Sequence, residues 1–124
     1  MNRCKWCNLD NPIYVTYHDK EWGLLNTDER YLLEMLILES FQAGLSWECI
    51  LNKRETFKNA YDNFDINKII NYGQAKIDEL INNKGIVRNK RKIINLDGSN
   101  GLKTRKKLKK LLYKNVLKIE KYYN

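Results

Sequence analysis

One proline and one histidine occur in 124 residues, and no apolar run approaches the ~20 residues of a membrane-spanning helix. The strongest apolar stretch, Leu32 to Leu38, is interrupted by Glu34. A membrane role is therefore not expected. The opening Met1-Asn2-Arg3-Cys4-Lys5-Trp6 lacks the apolar segment of a secretion signal, which points to a cytoplasmic protein. The cysteines are few and odd in number, Cys4, Cys7 and Cys49, so thiol or metal chemistry is expected rather than a disulfide framework. Acidic residues nearly vanish from the last third. Residues 88–124 hold thirteen Lys/Arg but only Asp97 and Glu120, whereas residues 1–87 hold ten Lys/Arg and thirteen Asp/Glu. The formal charge of +8 thus sits at one end, the electrostatic footprint of a nucleic-acid partner or of a lysine-solubilised helix.

What is present is enough for one compact domain. With 43% hydrophobic residues, three Trp and eight Tyr, the chain can build a core, and 31% charged residues cover its surface. The stretch to about Thr27 reads as loop and short helix. Asn26 or Thr27 is expected to cap a helix in which Tyr31, Leu32, Met35, Leu36 and Leu38 keep helical spacing and Glu39 lies near the end. Gly44 offers a turn and Ser46 a cap for a second helix running to about Phe57. Asn63-Phe64-Asp65 caps a segment bearing Ile66, Ile69 and Ile70. A helix around Asp78-Glu79-Leu80-Ile81 should stop at Lys84-Gly85. The basic run Arg88 to Lys92 then leads into Ile93 and Ile94. Helix, glycine turn and basic helix form the outline of a helix-hairpin-helix. No strand pattern or repeat is found, and the class is all-α. Beyond Asp97 the texture changes to Lys, Leu, Tyr and Asn. A basic amphipathic helix there could cover core, membrane surface or DNA. The domain is accordingly drawn as 1–95, followed by a divergent basic tail at 96–124.

Three constellations carry chemistry. Cys4 and Cys7 with His18 supply ligand types suited to Zn²⁺, although a closed structural site needs four and no second spaced pair exists. Packed thiols and a hydrogen-bonded His are the plainer reading. Glu39 is a carboxylate at the end of an apolar helix, either functional with a perturbed pKa or a structural cap of the following turn. Tyr17, Trp6 and Trp47 near it are equally suited to a pocket or to a core. Gly85 to Arg88 opens a helix, where exposed N–H groups and the positive end of the helix dipole suit a DNA phosphate. Without the turn it would be a solvated basic face.

Several of these stretches together carry a resemblance. Arg3-Cys4-x-Trp6, Tyr17-His18-Asp19-x-Glu21-Trp22-Gly23, Glu39-x-x-Gln42-Ala43-Gly44-Leu45-Ser46-Trp47, Lys53-Arg54-Glu55, Gly85-Ile86-x-Arg88 and Lys92-Ile93 resemble the DNA-3-methyladenine glycosylase I family in order and spacing. The match spans about residues 1–95, and the run from Glu39 to Trp47 is specific to that family. The resemblance implies a helix-hairpin-helix glycosylase, C-terminally truncated, that flips 3-methyladenine out of alkylated double-stranded DNA and hydrolyses its N-glycosidic bond. It implies that Glu39 hydrogen-bonds the adenine edge and that Trp6, Tyr14, Tyr17 and Trp47 form the stacking walls. Leu45 would fill the gap left by the flipped base, and Gly85 and Arg88 would grip the backbone. Cys4 and His18 would begin a zinc site. No catalytic lysine of the family type is found, so a monofunctional enzyme, acting as a monomer, is expected.

The departures from the family define the alternative. Its members run on further and complete the zinc site with a late His and Cys that are absent here, so any zinc site on Cys4 and His18 is incomplete. From about Leu96 the resemblance is expected to end, and the tail has the composition of an out-of-frame reading of AT-rich sequence. The alternative function is a non-catalytic DNA-binding remnant.

Overall fold

The computed structural model describes residues 2–42, 44–90 and 93. Among them there are helices and no strands: α1 (Pro12–Lys20), α2 (Glu29–Phe41), α3 (Trp47–Asn52), α4 (Arg54–Ala60), a 3₁₀ turn at Asp62–Phe64, α5 (Ile66–Ile69) and α6 (Gln74–Asn82). The all-α expectation is met. The tail from residue 94, with its expected amphipathic helix and the 95/96 boundary, lies outside the described residues.

Short polar side chains set the helix starts. Asn11 accepts a hydrogen bond from the Ile13 N–H while Pro12 occupies the first turn of α1, where a missing N–H costs nothing. The cap of α2 is Asp28 rather than Asn26 or Thr27. Its carboxylate accepts the Tyr31 N–H at 2.9 Å, and Asn26 instead accepts the N–H of Asp28 itself. Ser46 caps α3 through the Cys49 N–H, and Asp65 caps α5 through the N–H groups of Asn67 and Lys68.

The core joins the long helix to everything after it. Leu33, Ile37, Leu38 and Phe41 of α2 pack with Ile50, Phe57, Tyr61, Phe64, Ile69, Leu80 and Ile86. Phe41 meets Phe57 at 5.2 Å between ring centroids, and Tyr61 continues the aromatic stack to Phe64 and Tyr72. Truncating a fully buried ring such as Phe57 to Ala would cost about 3–5 kcal/mol.

Three expectations need correction. The helix expected to run from Ser46 or Trp47 to Phe57 is broken at Lys53, the shared boundary of α3 and α4. The break buries Phe57 and lets Arg54 reach two carboxylates. Asp62, Asn63 and Phe64 all have positive φ, between 51° and 56°, where the sequence suggested only a cap. Such backbone costs about 1–2 kcal/mol per residue. Burial of the Phe64 ring and a 2.6 Å hydrogen bond from the Tyr72 hydroxyl to Asp62 oppose that cost. Gly85, finally, is not in the left-handed region and does not end α6 by its φ. The helix stops at Asn82, Asn83 turns extended, and the Asn83 side chain accepts the Gly85 N–H at 2.8 Å. Glycine is needed there for space, since a Cβ would lie 2.3 Å from the Thr56 Cγ2.

Candidate active site

The last turns of α1 and α2 and the first turn of α3 converge on a cavity of about 430 Å³ lined by Trp6, Tyr14, Tyr17, Trp22, Glu39, Gln42 and Trp47. The five residues expected around a base, Glu39, Trp6, Tyr14, Tyr17 and Trp47, are all in its wall. A larger cavity, about 610 Å³, lies at the other end of α2 beside Asp28, Arg30, Phe64 and Asp65. It lacks converging aromatic faces, so the smaller one is the candidate site.

The walls are an aromatic lattice. Trp6 packs on Tyr14 at 5.2 Å and meets Trp22 edge-on at 5.4 Å, while Tyr17 meets Trp47 edge-on at 5.7 Å. Trp6 and Trp22 are 41% and 49% exposed, so their faces remain open to a flat ligand. The indole N–H of Trp47 is buried with no acceptor in good hydrogen-bond geometry among the described residues, and it interacts with the Tyr17 hydroxyl. Trp22 and Gln42 were not expected in this wall. Gln42 follows Glu39 by three residues at the end of one helix, the spacing that puts two side chains on the same face, and that spacing could have revealed it.

The electrostatics keep the phenols neutral. Desolvation pushes the Tyr17 hydroxyl above its ordinary value, the nearby Trp47 indole opposes this, and the negative Glu21 and Glu39 add to it. Tyr14 is raised for the same leading reason. Both are donors at neutral pH. Glu39 stands exposed in the last turn of α2, yet the pocket walls desolvate its carboxyl and raise its pKa. A partly dehydrated carboxylate beside open aromatic faces suits a flat, cationic ligand carrying hydrogen-bond donors.

Beyond α2 the chain turns at Gly44, whose φ of 79° is a conformation glycine adopts without strain. Leu45, 40% exposed, projects from this turn, and its N–H closes on the Gln42 carbonyl at 2.7 Å. Gly85 and exposed Arg88 lie on the segment after α6 and do not line the pocket. Residues 90 and 93 are helical, the Ile93 N–H donates to the Asn89 carbonyl, and the Ile93 side chain is buried in the core. The Gly85 N–H, expected to be free for a phosphate, is already held by Asn83.

The N-terminal segment is latched onto α1. Arg3 grips Asp19 through two nitrogens, with contacts of 2.8 and 3.0 Å. Asp19 faces His18 Nδ1 at 2.9 Å, and His18 Nε2 accepts the Cys4 backbone N–H at 3.2 Å. The pairing with Arg3, and after it with His18, pulls the Asp19 pKa down to about 2. In this arrangement His18 turns its ring nitrogens to Asp19 and to the Cys4 backbone. Both imidazole nitrogens are engaged by the protein, and the described residues contain no group of three His, Cys, Asp or Glu placed to hold a metal.

Comparison with known proteins agrees with this geometry. The methyladenine glycosylase family model matches residues 6–117, so the match runs past Leu96, where the resemblance was expected to end. DNA-3-methyladenine glycosylase 1 of Escherichia coli (strain K12) is 42% identical over 93 residues, 75% of this chain and 49% of that protein. A crystal structure of 3-methyladenine DNA glycosylase I superposes with a TM-score of 0.73 at 41% identity, covering 81% of this chain and 54% of that one. A tyrosine-to-phenylalanine variant of 3-methyladenine DNA glycosylase I in complex with 3-methyladenine gives 0.71 at 34% identity, covering 77% and 51%. The fold is helical and similar to that of 3-methyladenine DNA glycosylase I. The chain belongs to the methyladenine glycosylase family. It spans about half the length of the curated relatives it matches.

Proposed function

We propose that this chain is a monofunctional DNA glycosylase that excises 3-methyladenine from alkylated double-stranded DNA. The observation that carries the reading is the convergence of Trp6, Tyr14, Tyr17, Trp22 and Trp47 with Glu39 on one cavity.

The chemistry follows from the substrate's charge. Methylation at N3 makes the base cationic, so the glycosidic bond can break with its electron pair leaving on a neutral base. Water then bonds to the sugar carbon and its extra proton passes to solvent. Little acid catalysis is needed. The aromatic faces attract the cationic base by cation–π interaction and stacking, and the Glu39 carboxylate accepts hydrogen bonds from the adenine edge. Normal adenine is neutral and gains less from either contact. The lesion must leave the helix to enter, a step cheapest where pairing is already weakened. Leu45 is suited to occupy the gap it leaves. The α6 turn and the helix after it act as a helix-hairpin-helix in which Arg88 meets phosphate. We place the protein in the cytoplasm as a monomer.

The test is release of free 3-methyladenine from methylated DNA by the 124-residue protein, with Glu39→Gln as control. Release that the variant loses is the expected result. No release from protein that melts cooperatively would overturn the enzymatic reading in favour of a DNA-binding remnant.

A further inference from the structure

Arg54 lies outside the aromatic cavity, yet two of the elements that build its wall, α1 and α2, are tied through it. It is the first residue of α4, directly after the break at Lys53. Its guanidinium forks onto Glu21, with Nη1 donating to Oε2 at 2.7 Å and Nη2 to Oε1 at 2.9 Å. It also donates to Glu34 Oε1 through Nε at 3.2 Å and through Nη2. Glu21 is the C-cap of α1, and its N–H and that of Trp22 both donate to the Tyr17 carbonyl at 2.9 Å. Glu34 is buried on α2, the helix that ends with Glu39. Behind the aromatic pocket lies a second cavity, of about 500 Å³, lined by Glu21, Glu34 and Arg54 among others. Tyr17 is the residue common to both walls.

We propose that Arg54 is a positioning residue for the base pocket, holding Tyr17 and the Glu39 helix in place from behind through Glu21 and Glu34. Two carboxylates facing one cavity, Glu34 buried and Glu21 partly so, would repel without a cation between them. A guanidinium meets both at once because its donors form a rigid planar fork, which an ammonium cannot copy. The sequence motif Lys53-Arg54-Glu55 thereby acquires a role that no contact with the base would explain. This proposal rests on the glycosylase reading for its activity readout.

The experiment compares Arg54→Gln, Arg54→Lys and the double variant Arg54→Gln/Glu34→Gln with the wild-type 124-residue protein. Each is measured by melting, single-turnover release of 3-methyladenine, binding of the free base, and near-ultraviolet circular dichroism. Arg54→Gln is expected to lower the release rate about tenfold or more and to weaken base binding, since small displacements of positioned groups are costly in rate. The double variant removes the unpaired buried charge, so its melting temperature should recover while release does not. Arg54→Lys should keep the charge and still lose release. Wild-type release by the double variant would overturn the proposal, because neutralisation alone would then suffice. If the wild-type protein releases no 3-methyladenine, the enzymatic reading fails separately. Positioning is then judged by the dichroism of the Tyr17–Trp47 pair, and an unchanged band in the double variant would overturn it.

Discussion

Tyr17 and Trp47 meet edge to face, with ring centroids 5.7 Å apart and planes at 64°, although one lies in the second half of α1 and the other begins α3. The contact is held from both sides. The Asn11 amide donates to Glu48 and to Asn52, each at 2.9 Å, which ties the start of α1 to α3. Arg54 and Glu21 tie its end to α4. The pocket is thus formed by side chains whose backbones are fixed elsewhere, the arrangement that rigid recognition of a flat base requires.

Trp47→Ala should weaken binding of free 3-methyladenine by about 1–3 kcal/mol, the usual worth of a base–aromatic stack. Isothermal titration calorimetry checks this. Unchanged affinity would remove Trp47 from the base site.

The raised pKa of Glu39 has two opposite consequences. The working form is the carboxylate, so base release should fall as pH drops through a midpoint above the ordinary glutamate value of about 4.3. Stability runs the other way. A folded pKa above the unfolded one adds stability at low pH that is lost as pH rises through the folded value. Glu39→Gln should therefore melt above the wild-type protein at pH 7 and level with it in acid. Parallel melting curves at both pH values would show that the carboxyl is not desolvated.

Asp19 shows the reverse sign. Its pKa, held at about 2 by Arg3 and His18, lies below the unfolded value, so the pair stabilises above about pH 4 and the benefit is lost as pH falls through about 2. Asp19→Asn should bring the neutral-pH melting temperature down while leaving that in strong acid unchanged. The Trp6 fluorescence, next to this latch, should become more water-like.

Gly85→Ala forces a methyl against the Thr56 Cγ2 and should cost about 1–3 kcal/mol, as overpacking typically does. Adding Thr56→Ser removes that Cγ2 and should restore most of the loss in denaturant titrations. A neutral Gly85→Ala would mean that the Gly85 segment is not seated on α4.

Arg88→Ala should weaken DNA binding evenly across sequences and reduce the slope of log affinity against log salt by about one. Filter binding at several salt concentrations measures it. An unchanged slope would place Arg88 away from phosphate.

Much of the site was legible because its signals are local. Ser46 reads as a cap from its position before Trp47, and Gly44 reads as a turn because few other residues adopt its backbone. Glu39 is marked by its place at the end of an apolar helix. Of the apolar positions read for α2, Leu32 and Leu38 are buried, whereas Tyr31, Met35 and Leu36 are only partly so and the core residues Leu33, Ile37 and Phe41 were not among them. The misses are of another kind. Asp28 won the cap of α2 from its neighbours by reaching the Tyr31 N–H, a competition among three adjacent polar side chains that spacing does not resolve. The left-handed run at Asp62–Phe64 contains no glycine to announce it and is held by burial of its own Phe64 ring and by the Tyr72 hydroxyl from elsewhere in the chain.

Composition, periodicity and capping residues determined the helical class, the starts of α3 and α5 and the aromatic supply of the pocket, because each depends on neighbours within a few residues. The tertiary structure alone decided which of those residues meet. It broke one expected helix at Lys53 so that Arg54 could join Glu21 to Glu34. It seated Gly85 on Thr56, and it gave His18 to the Cys4 backbone. These contacts join residues 14 to 33 positions apart, where no local pattern operates and only close packing and charge pairing choose the partner.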